Sequence, residues 1–188
     1  TADGGFIVTG STESYTNGNS DVWLIRTDSS GTMQWSKSFG GTGIDCGLDV
    51  IECVSGGYLG TGYGQQSFAG RLSAMLIRTD ELGNEIWTRN YGSSERDLAT
   101  SVLETEDGGF VVTGSTETGG NSSTLLWVFK VSASGDEEWA HLIDGAASKG
   151  AFRLARSGDG AFGIVGYAKT IQVEASDMLF VRTDASGD

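Results

Sequence analysis

Two aspartates at equivalent positions are the side chains in this sequence best suited to catalysis. Asp45 and Asp97 each come just before a short, partly apolar segment, at the mouth of any channel that these segments line. Paired carboxylates can hydrolyse a glycosidic bond, one as acid and the other as base or nucleophile. The third equivalent position holds Lys149, so the pattern does not persist. We therefore favour solvated loop-end caps over catalysis and predict no catalytic residues.

Other catalytic arrangements lack the necessary partners. A serine or cysteine nucleophile needs a base, and the sole histidine, His141, stands where Lys37 and Arg89 stand in other copies of the pattern. One histidine with two separated cysteines does not make a zinc site. On one extended segment Cys46 and Cys53 would lie roughly 23 Å apart, too far for a disulfide. We predict ordinary buried or half-buried thiols.

Calcium is the one metal for which the sequence offers ligands. Asn17, Asn19 and Asp21 place three oxygen-bearing side chains at alternate positions of a loop, a spacing that suits a hard cation. The other copies of this loop do not repeat the triplet, and an Asn/Gly-rich turn also explains it. We predict no cofactor, with calcium at this triplet as the alternative.

A repeat of 52 residues positions all of these side chains. One series of equivalent segments is DGGFIVTGST at 3–12, SGGYLGTGYG at 55–64, DGGFVVTGST at 107–116 and DGAFGIVGYA at 159–168. A second series is WLIRTDSSG at 23–31, MLIRTDELG at 75–83, WVFKVSASG at 127–135 and LFVRTDASG at 179–187. The chain is therefore predicted to be a single domain of repeats 1–53, 54–105, 106–157 and an incomplete 158–188.

Each repeat contains short segments rich in β-branched and aromatic residues, bounded by Gly, Ser, Asp or Asn. Such segments indicate strands, and four of them per fixed period are typical of a propeller blade. We predict an all-β fold, a β-propeller of four-stranded antiparallel blades, either partial or of about four blades. A β-solenoid or sandwich is the alternative. The first and last blades each lack a strand, which leaves open edges for a protein partner or for copies of the chain.

Residues that recur at one repeat position have predicted structural roles. The T-D-x-x-G segments indicate a type I turn that closes on a left-handed glycine, with an aspartate accepting backbone N–H bonds; these are Asp28, Asp80 and Asp184. Tryptophans at one position are expected to pack between blades: Trp35, Trp87 and Trp139. Basic residues recur at a different repeat position and are expected to pair with carboxylates or carbonyls: Arg26, Arg78, Lys130 and Arg182.

The repeat resembles a known family. It is similar to the glycine-rich propeller repeats of secreted and surface proteins of bacteria and archaea. The shared motifs are DGGF-x-x-x-G, W-L-I-[KR]-T-D-x-x-G-x-x-x-W and an aromatic residue followed by Gly-Gly. The resemblance covers essentially the whole chain. It implies an extracellular or cell-surface protein, often as a segment of something larger, and implies no particular activity. Kelch repeats and sialidase Asp-boxes fit less well, because their glycines are spaced differently.

Composition narrows the classes of partner. The chain has 25 acidic and 12 basic residues, a net charge of −13, and such a charge repels phosphate backbones. We therefore predict no nucleic-acid binding. No apolar run is long enough to span a bilayer as a helix, so we predict no membrane span.

The loops that vary between copies are the predicted binding surface. In an up-and-down blade the tight turns share one face and the longer loops share the other, and specificity resides in variable loops. The predicted binding residues are Tyr15, Asn17, Asn19, Asp45, Gln66, Phe68, Asp97 and Asn121. The leading hypothesis is a non-enzymatic scaffold for protein or surface interaction. The alternatives are a glycan-binding module and a glycoside hydrolase or lyase that uses the channel-mouth carboxylates.

Overall fold

A computed structural model describes residues 1–16, 18–65, 71–92, 96–118, 123–143, 147–170 and 175–188. These residues form 14 β-strands. The first seven are β1 Phe6–Thr12, β2 Asp21–Thr27, β3 Met33–Phe39, β4 Asp45–Glu52, β5 Tyr58–Gln65, β6 Leu72–Thr79 and β7 Glu85–Tyr91. The others are β8 Asp97–Glu104, β9 Phe110–Thr118, β10 Ser123–Val131, β11 Glu137–Ile143, β12 Ala147–Arg156, β13 Phe162–Thr170 and β14 Ser176–Thr183. No helix in this described part is long and apolar enough to cross a membrane.

The strands form four antiparallel sheets, each an up-and-down meander. The first blade is β1-β2-β3, the second β4-β5-β6-β7, the third β8-β9-β10-β11 and the fourth β12-β13-β14. Among the described strands, the first blade has no inner strand and the fourth has no outer strand. The predicted all-β propeller architecture, with about four blades and an incomplete blade at each end, is confirmed.

The tight turns have the predicted chemistry. Asp28 Oδ1 accepts backbone N–H bonds from Ser30 and Thr32, both at 2.9 Å. Gly31, in the same turn, has φ of +83°, which glycine adopts without strain. A hydrogen bond from the Ser30 hydroxyl, together with these backbone bonds, favours the ionised carboxylate and lowers the pKa of Asp28. The Asn84 side chain and backbone bonds lower the pKa of Asp80 in the same way. The turn therefore recurs because its local sequence recurs.

Each blade packs one sheet face on the next blade. We call the face that is turned toward the following blade the forward face, and the face turned toward the preceding blade the rear face. Val22 and Leu24, on the forward face of the first blade, pack with Met75 and Ile77 on the rear face of the second. Two further clusters join the second blade to the third and the third to the fourth. The hydrophobic core is therefore a series of three interfaces between blades.

The tryptophans of the outer strands reach across these interfaces. Trp35 Nε1 donates to the carbonyl of Glu81 at 3.1 Å, and Trp87 Nε1 donates to that of Ala133 at 3.2 Å. A Cβ on Gly83 would lie 2.9 Å from the Trp35 ring, so glycine allows the ring to lie against the turn. Packing between blades is confirmed for these side chains, which are half-buried because they cover the outer rim.

The recurring basic residues bond to carboxylates or, in the case of Arg78, to the carbonyl of Gly56, as predicted. Arg26 pairs with Asp3, and Lys130 pairs with Asp107, with N–O distances of 2.5 Å in each case. In the second blade, Ser55 stands at the repeat position that Asp3 and Asp107 occupy, and Arg78 donates to the Ser55 hydroxyl at 3.0 Å. The cysteines also follow the prediction: both are free, with Cys53 buried and Cys46 half-buried.

Candidate functional site

Asp45 and Asp97 begin the inner strands β4 and β8, but neither is a solvated cap. Only 3% of Asp45 and 2% of Asp97 is exposed. Asp45 accepts backbone N–H bonds from Gly41 at 2.8 Å and from Gln65 at 3.1 Å. Asp97 accepts a hydrogen bond from the hydroxyl of Thr116. The prediction of solvated caps was wrong because the adjoining blade covers both carboxylates, and buried charges need such hydrogen bonds.

A second buried aspartate lies beside Asp45. A Cβ on Gly40 would lie 2.4 Å from Oδ2 of Asp45 and 2.6 Å from Oδ1 of Asp21, so the two carboxylates flank this glycine. Burial raises the pKa of Asp45, and the nearby Asp21 charge raises it further, although the bonds from Gly41 and Gln65 oppose the shift. This carboxylate pair was not predicted from the sequence. Its signal was Gly40, where a side chain would collide with both acids.

The candidate calcium ligands are divided between surface and interior. Asn19 is exposed, and Asp21 is 1% exposed in the interface between the first two blades. Asn17 lies outside the described residues. Among the residues that are described, no three His, Cys, Asp or Glu side chains are grouped suitably for a metal ion.

The carboxylate of Asp45 contributes to a cleft of about 290 Å³ between the first and second blades. The cleft is small for a ligand-binding cavity, for which roughly 300–1,000 Å³ is usual. Its polar lining comprises Asp45, Gln65, Glu85, Thr88 and Asn90. Carboxylates, amides and a hydroxyl can together exchange hydrogen bonds with a small polar molecule.

The remaining predicted binding residues are only partly described. Tyr15 is 68% exposed, and its ring centroid is 6.5 Å from that of Trp23. Gln66, Phe68 and Asn121 lie outside the described residues. Asp45 and Asp97 belong to successive blade interfaces, the first and the second. The residues predicted from the variable loops therefore do not form one site in the described part of the chain.

Asp49, which the sequence analysis did not select, connects three blades. It lies on β4, and its Oδ1 is 2.8 Å from Nη1 of Arg153 in the fourth blade. Its Oδ2 accepts hydrogen bonds from the Ser101 hydroxyl at 3.0 Å and the Val102 amide at 3.2 Å, both in the third blade. We assign this aspartate a structural role, because its oxygens are used to join inner strands.

The two ends of the blade series carry uncovered apolar faces. On the rear face of the first blade, Phe6 is 57% exposed, whereas Phe110 at the same position of the third blade is 1% exposed. On the forward face of the fourth blade, Phe180 is 62% exposed, whereas Leu24 and Val128 at the same position are fully buried. The open surface therefore includes whole sheet faces in addition to the strand edges predicted from the sequence.

Comparison with known proteins bears on the fold alone. No protein-family model matches the chain, and no curated protein matches it. Among solved structures, it is similar to an endo-arabinase from Bacteroides thetaiotaomicron VPI-5482, with a TM-score of 0.56 and 11% identity. The match covers 99% of this chain and 76% of the endo-arabinase chain. At this identity the likeness concerns the propeller architecture alone.

Proposed function

We propose that this chain is a non-enzymatic propeller-repeat scaffold of an extracellular or cell-surface assembly. Its function is to join copies of itself, the forward face of one fourth blade packing on the rear face of another first blade. The observation that carries the proposal is the uncovered apolar surface of those two faces. The resemblance to glycine-rich repeats of surface proteins supports the location.

The three internal interfaces provide the template for this contact. In each of them the forward face of one blade packs on the rear face of the next, through equivalent repeat positions. Met178 and Phe180 stand where Val22 and Leu24 stand in the first blade, and Phe6 stands where Phe110 stands in the third. The two end faces are therefore the two halves of the same interface, which a second copy can complete.

This contact will be weaker than the internal interfaces. Internal interfaces also use inner-strand side chains such as Leu154 and outer-strand tryptophans such as Trp35, and the end blades lack those strands. Two copies that each carry a charge of −13 also repel one another. We expect a Kd of roughly tens of micromolar, which falls as salt screens the repulsion. Because the contact is head-to-tail, it builds rings or filaments rather than a closed two-fold dimer.

Complementary face variants test this proposal. Phe180→Asp disrupts the forward end face and Phe6→Asp disrupts the rear end face, so each variant alone should remain monomeric. Their mixture retains one intact forward face and one intact rear face on different molecules. Sedimentation velocity and light scattering, from about 5 to about 200 micromolar, should then show a one-to-one heterodimer.

Val54→Asp is the matched control, because this turn valine is 94% exposed and lies on neither face. It should associate as the unmodified chain does. A wild-type chain that stays monomeric at the highest concentration and at high salt would overturn the proposal. Self-association that persists in both single variants would also overturn it, because it would place the contact elsewhere.

Hydrolysis by Asp45 and Asp97 is not favoured by the geometry. Each carboxylate is buried in a separate blade interface and is engaged by groups of its own interface. Activity that survives Asp45→Asn together with Asp97→Asn would exclude these carboxylates as the catalytic pair.

A further inference from the structure

The first and second interfaces between blades carry different side chains at equivalent repeat positions. At the interface of the second and third blades, Thr116 and Trp127 occupy positions that Gly64 and Met75 occupy one interface earlier. The neighbouring positions hold Ala140 and Leu142 in the later interface, and Thr88 and Asn90 in the earlier one. The earlier interface is thus the more polar of the two, and it contains the cleft.

In the second interface, protein side chains fill this space. The Thr116 hydroxyl donates to Asp97. Trp127 is 5% exposed and stacks on Phe129, with ring centroids 4.2 Å apart. In this interface a side-chain hydroxyl is therefore one of the donors to the aspartate that begins the inner strand.

In the first interface, the corresponding protein groups are smaller. A Cβ on Gly64 would lie 2.5 Å from Oδ1 of Asp45, so the carboxylate stands directly against this glycine and a threonine would fit here only if the carboxylate moved. In the cleft wall the Thr88 hydroxyl oxygen is buried, and it has no hydrogen-bond partner among the described residues. Buried polar atoms are usually satisfied, and a polar molecule in the cleft would supply a partner for this one.

We propose that this cleft binds a sugar residue, one hydroxyl of which donates to Asp45 as the Thr116 hydroxyl donates to Asp97. Thr88 and Asn90 lie in the same cleft and can bond to further hydroxyls. A ring that carries several hydroxyls meets this requirement, and a volume of about 290 Å³ restricts the occupant to a small unit such as one monosaccharide. This binding is a function separate from self-assembly, because the cleft lies inside the first interface.

The test is a titration of the full chain, followed by NMR, with single monosaccharides as probes. The panel contains L-arabinose, D-xylose, D-glucose, D-galactose, D-mannose and N-acetylglucosamine, each to about 50 millimolar, because weak single-unit binding is expected. At least one sugar should produce saturable shifts at Gln65 and Asn90. If none of the six does so, the proposal is overturned.

Variants that copy the second interface locate the site. Gly64→Thr with Met75→Trp should fill the cleft and abolish the saturable shifts. The milder pair Thr88→Ala with Asn90→Leu introduces the residues of the later interface and should weaken binding at least about tenfold, since hydrogen bonds to the sugar are lost. The milder pair keeps the test decisive if the first one does not fold.

Ala168→Thr is the matched control, since it places a threonine at the position of Gly64 in the fourth blade. It should bind the sugar as the unmodified chain does. Binding that survives either cleft variant in folded protein would overturn the assignment. Phe180→Asp should retain sugar binding, so failure of the self-assembly proposal and failure of this one give different results.

Discussion

The rear faces of the first and third blades carry the same residue type at the same repeat position, yet their environments differ. Phe110 is 1% exposed under the forward face of the second blade, whereas Phe6 is 57% exposed because none of the described blades covers it. Their local sequences are nearly identical, DGGFIVTGST against DGGFVVTGST. The comparison shows that the repeat specifies the shape of a blade, while the neighbouring blade determines what that blade buries.

Truncation of the two phenylalanines should give the largest contrast. Phe110→Ala removes a fully buried ring and leaves a cavity, so it should lower the free energy of unfolding by about 3–5 kcal/mol. Phe6→Ala, measured where the chain is monomeric, should change it by less than about 0.5 kcal/mol. Urea denaturation at low protein concentration measures both. Equal losses would show that the first blade's rear face is covered.

Two turn glycines extend the contrast to the outer rim. Gly83 has φ of +75° and lies against the Trp35 ring, whereas Gly31 has φ of +83° and nothing within 4 Å of its would-be Cβ. Each alanine variant should lose about 1–2 kcal/mol through backbone strain. Gly83→Ala should lose a further 1–3 kcal/mol or so, because the tryptophan must move. Thermal unfolding of the two variants measures both losses of stability, and their difference reports the contact of Gly83 with Trp35. Equal losses in the two variants would contradict that contact.

The smallest effect concerns the recurring ion pair. Asp107→Asn breaks the pair with Lys130 and should cost less than about 1 kcal/mol at pH 7, because Asp107 is 57% exposed. Hydrogen bonds from Lys130 and Thr105 hold the pKa of Asp107 well below its usual value. Its contribution is therefore present above the ordinary aspartate pKa and is lost as the pH falls through the lower folded value.

Stability measured from pH 7 down to about pH 2 should show the two curves converging on the acid side. A difference between Asp107→Asn and the unmodified chain that grows toward acid pH would contradict this sign. Ser55→Asp, which supplies the absent carboxylate beside Arg78 in the second blade, is the converse variant. It should stabilise the chain by up to about 1 kcal/mol at neutral pH.

Much of the fold was predictable from the sequence because its determinants are local. The β-branched and aromatic segments and the Asp-x-x-Gly turns act within one hairpin, and the 52-residue period shows that the same hairpins recur along the chain. The recurring basic residues were predicted to bond to carboxylates or carbonyls, and Arg26 does so with Asp3, although the sequence analysis did not identify that partner. The predicted propeller and its incomplete end blades follow from these features.

The functional surfaces depended on contacts between blades, which local patterns do not reveal. Asp45 was predicted to be solvated, but Gly41 of the link from the first blade and the end of β5 enclose it. Phe6 has the same sequence context as a core residue and lies on the surface. The blade itself was predictable, since strand and turn preferences act over a few residues. The tertiary structure alone decided which faces are covered and where a cleft remains, because burial and van der Waals packing depend on neighbours that are distant along the chain.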